Sequence, residues 1–150
     1  MLNLVLLAAM TCESLTGLQL PHATIASSAM VAAAEVPAHC EVKGVIRPTK
    51  DSDIKFAVWL PPTGWNGNYL QYGNGGWAGA IPFRQMSDAL KRGYAVAGTD
   101  DGHKDGGNAA WAVGPKITGG VQGILASLIG CVNLGIVLSG FRPLRGLTPS

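Results

Sequence analysis

Two short stretches of this chain combine residue types that can act on a ligand. The first, Tyr69-Leu70-Gln71-Tyr72-Gly73-Asn74-Gly75-Gly76-Trp77-Ala78-Gly79, runs an apolar segment straight into four glycines within seven residues. Glycine lets the backbone turn through positive φ and brings bare N–H groups up to a ligand where a side chain would block the approach. Gly75 and Gly76 are therefore candidate donors to a developing oxyanion, each N–H worth a few kcal/mol in a transition state. The plain alternative is a tight turn that needs glycine for packing. Trp77 beside them is a candidate for lining an aromatic pocket, with core packing after the turn as the equal alternative. The second stretch, Asp100-Asp101-Gly102-His103, sets two carboxylates near an imidazole. Its reading is loop ordering, with Asp100 or Asp101 capping backbone N–H groups and His103 hydrogen-bonding the loop.

A donor loop needs a nucleophile, and no nucleophile, acid and histidine set is found in these 150 residues. Ser87 falls within a helical pattern, and Ser139 lacks the flanking glycines of a Gly-x-Ser-x-Gly elbow. A serine hydroxyl without a paired base is a poor nucleophile. His22 and His39 have no partner at a telling spacing, so surface or packing roles suffice for them. No residue is assigned a catalytic role.

Cys12, Cys40 and Cys131 show none of the Cys-x-x-Cys or Cys/His spacings that a zinc site requires, so neither a metal nor a cofactor is expected. Met1 to Thr11 hold a Leu/Val/Ala run long enough for a signal-peptide core, without the positive segment that normally precedes one. In an exported chain Cys12 and Cys40 would pair and leave Cys131 odd; in a cytosolic one all three would be buried thiols. The exported reading, secreted or periplasmic, is the one taken here.

Composition narrows the class. Apolar residues make up 47% and charged residues only 13%, which argues against disorder and, with 21 glycines, for glycine-rich turns. The length suits one domain or a piece of one. A net charge of +2 without a Lys/Arg cluster favours neither nucleic acid nor an anionic membrane surface as a partner.

The elements that must position the two stretches follow from local patterning. Cys40 to Ile46 alternates loosely, and Arg47-Pro48-Thr49-Lys50-Asp51-Ser52-Asp53 is turn chemistry. Ile54 to Leu60 puts Ile, Phe, Val and Leu on even numbers and stops at Pro61-Pro62, which predicts a half-buried strand in a hairpin or meander. Asn66-Gly67 marks a turn before a strand over Tyr69 to Tyr72. Pro82 to Gly93 predicts a helix with Phe83, Met86, Ala89 and Leu90 on one face, and Tyr94 to Asp100 a buried parallel strand. Strand, glycine loop, helix and strand make one βαβ unit, whose ligand-facing loops belong at the carboxyl ends of its strands. Both stretches fall there. After Asp105 there is no acidic residue, and Val121 to Leu138 is apolar and glycine-spaced. A buried helix, a marginal membrane span and a segment unrelated to a βαβ domain compete for that tail.

The central region resembles the tannase and feruloyl esterase family of serine hydrolases. The likeness begins at Cys12-Glu13-Ser14-Leu15 and strengthens over Ala38-His39-Cys40, Gly44 to Thr49 and Ile54 to Pro61. It is densest over Gly64-Trp65-Asn66-Gly67, Gly73 to Gly79, Arg92-Gly93-Tyr94-Ala95 and Gly98-Thr99-Asp100-Asp101-Gly102-His103, and it fades past Trp111-Ala112-Val113-Gly114. The resemblance implies an α/β fold, here a partial α/β-hydrolase core with N-terminal strands and one βαβ unit followed by a divergent tail. It also implies an ester of a phenolic acid as the small-molecule substrate of the intact family. The family's nucleophile sits in a Gly-Cys-Ser-x-Gly-Gly elbow, whereas the one Gly-Cys here, Gly130-Cys131, is followed by Val132-Asn133. Its triad histidine follows the serine and acid in the chain, so His103 is not expected to be that residue.

Residues 1–11 are thus read as a signal-peptide remnant, 12–114 as an N-terminal portion of a hydrolase domain, and 115–150 as a tail from a frameshifted or truncated reading frame. The chain is expected to be catalytically silent, and Val96 with its neighbours to expose apolar surface and an unpaired edge where later strands are missing. Two other functions are kept beside this one: a non-catalytic membrane-associated protein anchored by 121–138, and a soluble module that binds phenolic acids.

Overall fold

The computed structural model describes residues 11–50, 52–74 and 78–104. Three antiparallel strands, β1 (Ala23–Val31), β2 (His39–Ile46) and β3 (Ile54–Leu60), form a meander in which neighbours in sequence are neighbours in space. Strand β4 (Tyr69–Tyr72) is joined through helix α1 (Phe83–Leu90) to strand β5 (Ala95–Thr99), and β4 and β5 run parallel. Because β5 also pairs antiparallel with β3, the two units share one sheet of order β1-β2-β3-β5-β4. The strand predicted as parallel is parallel on one side only.

Each face of this sheet carries its own core, which corrects the half-buried reading of β3. On one face Val42, Val58, Leu60, Ala95 and Ala97 pack with Leu15 of a 3₁₀ turn over Glu13–Gly17. On the other, Ala57, Trp59 and Val96 pack under Met86, Ala89 and Leu90 of α1. Successive strand residues point to opposite faces, so covering both faces buries odd and even positions alike from Ala57 to Leu60. The exposure expected of Val96 is also overturned. It is fully buried, because β5 lies between β3 and β4 beneath the helix.

Strand β1 has no counterpart in the sequence reading. Most of its residues are small or polar, only Ile25 and Ser28 are buried, and a register shift between Ile25 and Ser27 breaks the period-two pattern by which a strand is recognised. Cys12 and Cys40 form a disulfide with a Cα–Cα distance of 5.6 Å that ties the 3₁₀ turn to β2. Gly44 of β2 lies opposite Phe56 of β3. A Cβ there would sit 2.4 Å from the Thr24 carbonyl oxygen and 2.5 Å from the Phe56 ring, so the ring occupies the space a side chain would fill.

The helix ends where its sequence predicts. Gly93 takes φ +81°, its N–H donates to the Leu90 carbonyl at 2.9 Å, and Tyr94 N–H donates to that of Ala89 at 3.3 Å. Phe83, expected on the buried face, is instead 43% exposed and stacks on Trp59 at 5.6 Å between centroids. The helix end is clasped to the approach to β4. Asn66 donates from its backbone N–H to the Gly93 carbonyl at 2.9 Å and from its side-chain amide to the Arg92 carbonyl at 3.0 Å.

Candidate functional site

The register of β4 on β5 pairs Tyr72 with Gly98, so both strands finish at the same end of the sheet. Gly73 and Asn74 leave one strand there, and Asp100 to His103 leave the other. The side-chain amide of Asn74 joins them: Nδ2 donates to the Thr99 carbonyl at 2.8 Å and to Asp101 Oδ2 at 3.0 Å. At the far end of the glycine cluster, Gly79 lies so close to His103 that a Cβ would meet its carbonyl oxygen at 2.5 Å and its carbonyl carbon at 2.8 Å. Both described ends of the cluster are thus seated on the turn that follows β5.

That turn is built around a buried carboxylate. Asp100 Oδ1 accepts the backbone N–H of Lys55 at 2.8 Å and that of Gly102 at 2.9 Å, linking the start of β3 to the turn. Asp101 and Gly102 take left-handed φ of 54° and 80°; Asp is among the few non-glycine residues that tolerate this region. Asp101 N–H donates to Thr99 Oγ1 at 3.1 Å, and His103 N–H to the Asp100 carbonyl at 3.3 Å. Two backbone donors on one oxygen suit Asp100 to holding chain in place rather than to moving protons. In the neighbouring β2–β3 turn, slight burial of the Asp53 carboxyl opposes ionisation, but the hydrogen bonds and charges of Arg47 and Lys55 outweigh it and hold its pKa below the usual value.

Of the residues singled out from sequence, the structure brings Asp100, Asp101 and His103 into one turn. Gly75, Gly76 and Trp77 lie outside the described residues, as do residues 1–10, Cys131, Ser139 and the whole of 105–150, including the apolar run 121–138. Ser87 sits on α1, away from any strand-to-helix turn. His22 is exposed, with φ 58°, in the turn before β1. His39 is buried against Trp59, 4.6 Å between centroids, and its Nδ1–H donates to the Pro37 carbonyl at 2.7 Å. Among the described residues no group of three or more His, Cys, Asp or Glu could hold a metal ion, and no helix is long and apolar enough to cross a membrane. The residue that sequence reasoning passed over is Asn74. Its place among four glycines, as the one amide side chain in the cluster, was the available signal.

The mixed sheet, its α1 crossover and the convergence of two loops at the carboxyl ends of β4 and β5 define a partial α/β-hydrolase core. A crystal structure of feruloyl esterase B from Aspergillus oryzae superposes with a TM-score of 0.73 at 25% identity, over 88% of this chain and 30% of that one. A second crystal structure, an esterase from the same organism, shares the fold with a TM-score of 0.58 at 20% identity over 63% of this chain and 22% of its own. The tannase and feruloyl esterase family model matches residues 40–117, over half of the sequence, and the chain belongs to that family. Among curated relatives, an uncharacterized esterase of Xanthomonas campestris pv. campestris is 44% identical over 119 residues, 71% of this chain and 21% of that protein. Mono(2-hydroxyethyl) terephthalate hydrolase of Piscinibacter sakaiensis is 35% identical over 95 residues, 55% of this chain and 16% of its own length. The chain therefore spans about a fifth or less of the length of these curated relatives.

Proposed function

We propose that these residues form the oxyanion-binding part of a serine-type hydrolase of phenolic-acid esters, whose nucleophile is not among them. The observation that carries this is the placement of the glycine cluster. It opens from the carboxyl end of β4 and both its described ends rest on the turn after the parallel strand β5, where open α/β sheets hold their ligands. In this reading Gly75 and Gly76 donate their N–H groups to the carbonyl oxygen of the ester as it becomes an oxyanion. Trp77 lines the aromatic part of the pocket, and Asp100, Asp101 and His103 order the loop beneath. The family membership, with relatives named feruloyl esterase, supports a feruloyl, galloyl or related aromatic ester as the substrate class. Residues 12–114 are the hydrolase portion and 115–150 a divergent tail. The Cys12–Cys40 bridge supports an oxidising compartment, secreted or periplasmic.

Acyl transfer through serine needs a hydroxyl activated by a base, and none of these residues supplies that pair. The chain alone is therefore expected to release no ferulate from methyl ferulate and no gallate from methyl gallate, while binding free ferulate through the glycine cluster. Ester hydrolysis abolished by a serine-directed inhibitor would overturn the first expectation. Ferulate that leaves the amide resonances of Gly75 and Gly76 unmoved would overturn the second.

A further inference from the structure

We propose that Asn66-Gly67 is a self-modifying latch: when the clasp between the end of α1 and the approach to β4 opens, Asn66 deamidates to aspartate or isoaspartate, and the clasp no longer closes. Both reacting atoms belong to adjacent residues and water is the only co-reactant. The inference is independent of any role for the glycine cluster.

Closed, the clasp depends on Asn66 being an amide. Its backbone N–H donates to the Gly93 carbonyl at 2.9 Å, Nδ2 donates to the Arg92 carbonyl at 3.0 Å, and Oδ1 accepts the Asn68 N–H at 2.8 Å. Asn66 and Gly67 are nonetheless both exposed. Gly67 has no Cβ to shield its nitrogen, and nothing lies within 4 Å of where that Cβ would stand. Among the described residues its N–H makes no hydrogen bond. The Gly67 nitrogen is thus free to lose its proton to a base in solvent and attack Asn66 Cγ. The new bond joins Gly67 N to Cγ, the Cγ–Nδ2 bond breaks, and Nδ2 leaves as ammonia with a proton taken from water. Water then opens the cyclic imide at either carbonyl, giving aspartate or isoaspartate. In the closed clasp the hydrogen bond to Arg92 restrains the side chain and its leaving nitrogen, so the reaction belongs to the open state. The product does not fit the closed one. A carboxylate only accepts hydrogen bonds, so an oxygen would take the place of Nδ2 against the Arg92 carbonyl oxygen, and isoaspartate adds a methylene to the backbone as well. The closed clasp also depends on Gly93, which takes φ +81° and where a Cβ would stand 2.6 Å from the Gly64 carbonyl oxygen.

The test uses the full 150-residue chain, incubated in mildly alkaline buffer with and without urea. Deamidation is read by mass spectrometry and isoaspartate by methylation with an isoaspartate methyltransferase, and peptide fragmentation separates position 66 from Asn68 and Asn74. Conversion at Asn66 is expected to be about tenfold or more slower in the native chain than in urea, because only the open fraction of the clasp reacts. In urea Asn68, whose neighbour Tyr69 carries a Cβ, should lag far behind. Gly93→Ala drives a Cβ against Gly64 and should speed native conversion at Asn66 several-fold while the Val42 and Val58 amides keep their exchange protection. Asn66→Asp, the product made without the reaction, should lose exchange protection at the position 66 amide. Equal rates at Asn66 in the native and urea-unfolded chains would overturn the proposal, as would no native conversion over a period many times the half-life in urea. So would a protected position 66 amide in Asn66→Asp, or an unchanged rate in folded Gly93→Ala. If Gly93→Ala does not fold, the native-against-urea comparison and Asn66→Asp decide.

Discussion

Opening the Cys12–Cys40 bridge should remove a large fraction of the stability of this chain, and the size follows from where the bridge sits. It closes a loop with a sequence separation of 28 that contains the 3₁₀ turn and all of β1. Chain entropy for a loop of that length gives about 3.6 kcal/mol at 25 °C. A domain of this size has a total stability on the order of 5–15 kcal/mol. With a urea slope of about 2 kcal/mol per M, the unfolding midpoint should fall by roughly 1.8 M when melts are run with a strong reductant instead of without. Cysteine packing must be separated from loop closure, because Cys40 is fully buried among Val42, Val58 and Leu60. A double-mutant cycle does this. In the oxidised protein Cys40→Ala loses the loop term plus about 1 kcal/mol for the buried sulfur, whereas in a Cys12→Ala background it should lose only the latter. Circular dichroism against urea supplies all four stabilities. A coupling below about 1 kcal/mol would refute the reasoning, since the edge strand and the turn would then be held without the bridge.

Three further outcomes are expected. Gly44→Ala drives a Cβ into the Thr24 carbonyl and the Phe56 ring and should destabilise by about 2–3 kcal/mol in urea melts, while Gly17→Ala, which meets nothing within 4 Å, should be near neutral. Asp100→Ala strands the buried N–H donors of Lys55 and Gly102 and should cost roughly 2–4 kcal/mol; Asp100→Asn, which keeps an acceptor oxygen, should recover more than half of that, and equal losses in the two variants would contradict the role. Asp53, held ionised by Arg47 and Lys55, has a folded pKa below its ordinary 3.8, so its contribution is present above that value and disappears as pH falls through the lower one. Asp53→Asn should therefore be slightly less stable than the parent at pH 7 and equal to it in acid, with the difference shrinking in high salt because the pair is exposed; a difference that persists at pH 2 would rule this out.

The βαβ unit was legible because each of its parts is a local event. A helix that ends in Lys91-Arg92-Gly93 announces its own left-handed terminus, and Asn66-Gly67 announces its turn. Strand β1 was not legible. Most of its side chains are small or polar, its alternation is broken by a bulge, and it is held by pairing with β2, whose Cys40 is bridged to Cys12 ahead of the 3₁₀ turn. The burial of β3 on both faces escaped prediction, and Val96, placed on a buried strand by its local pattern, was wrongly expected to lie exposed for want of later strands, since what covers a strand is chosen by elements distant in sequence. In the site, Asp100, Asp101 and His103 stood out by residue type. Asn74 did not, because its partners Thr99 and Asp101 are 25 and 27 residues away.

By itself, then, the sequence determined the family, the turn chemistry and the order of strand, glycine loop, helix and strand, all of which are written in residue types at short spacing. Tertiary structure alone decided that β5 enters the sheet between β3 and β4 and that an asparagine amide bridges the two strand exits. Those outcomes depend on hydrogen bonds and packing between segments far apart in the chain, and local preference places no constraint on where such partners meet.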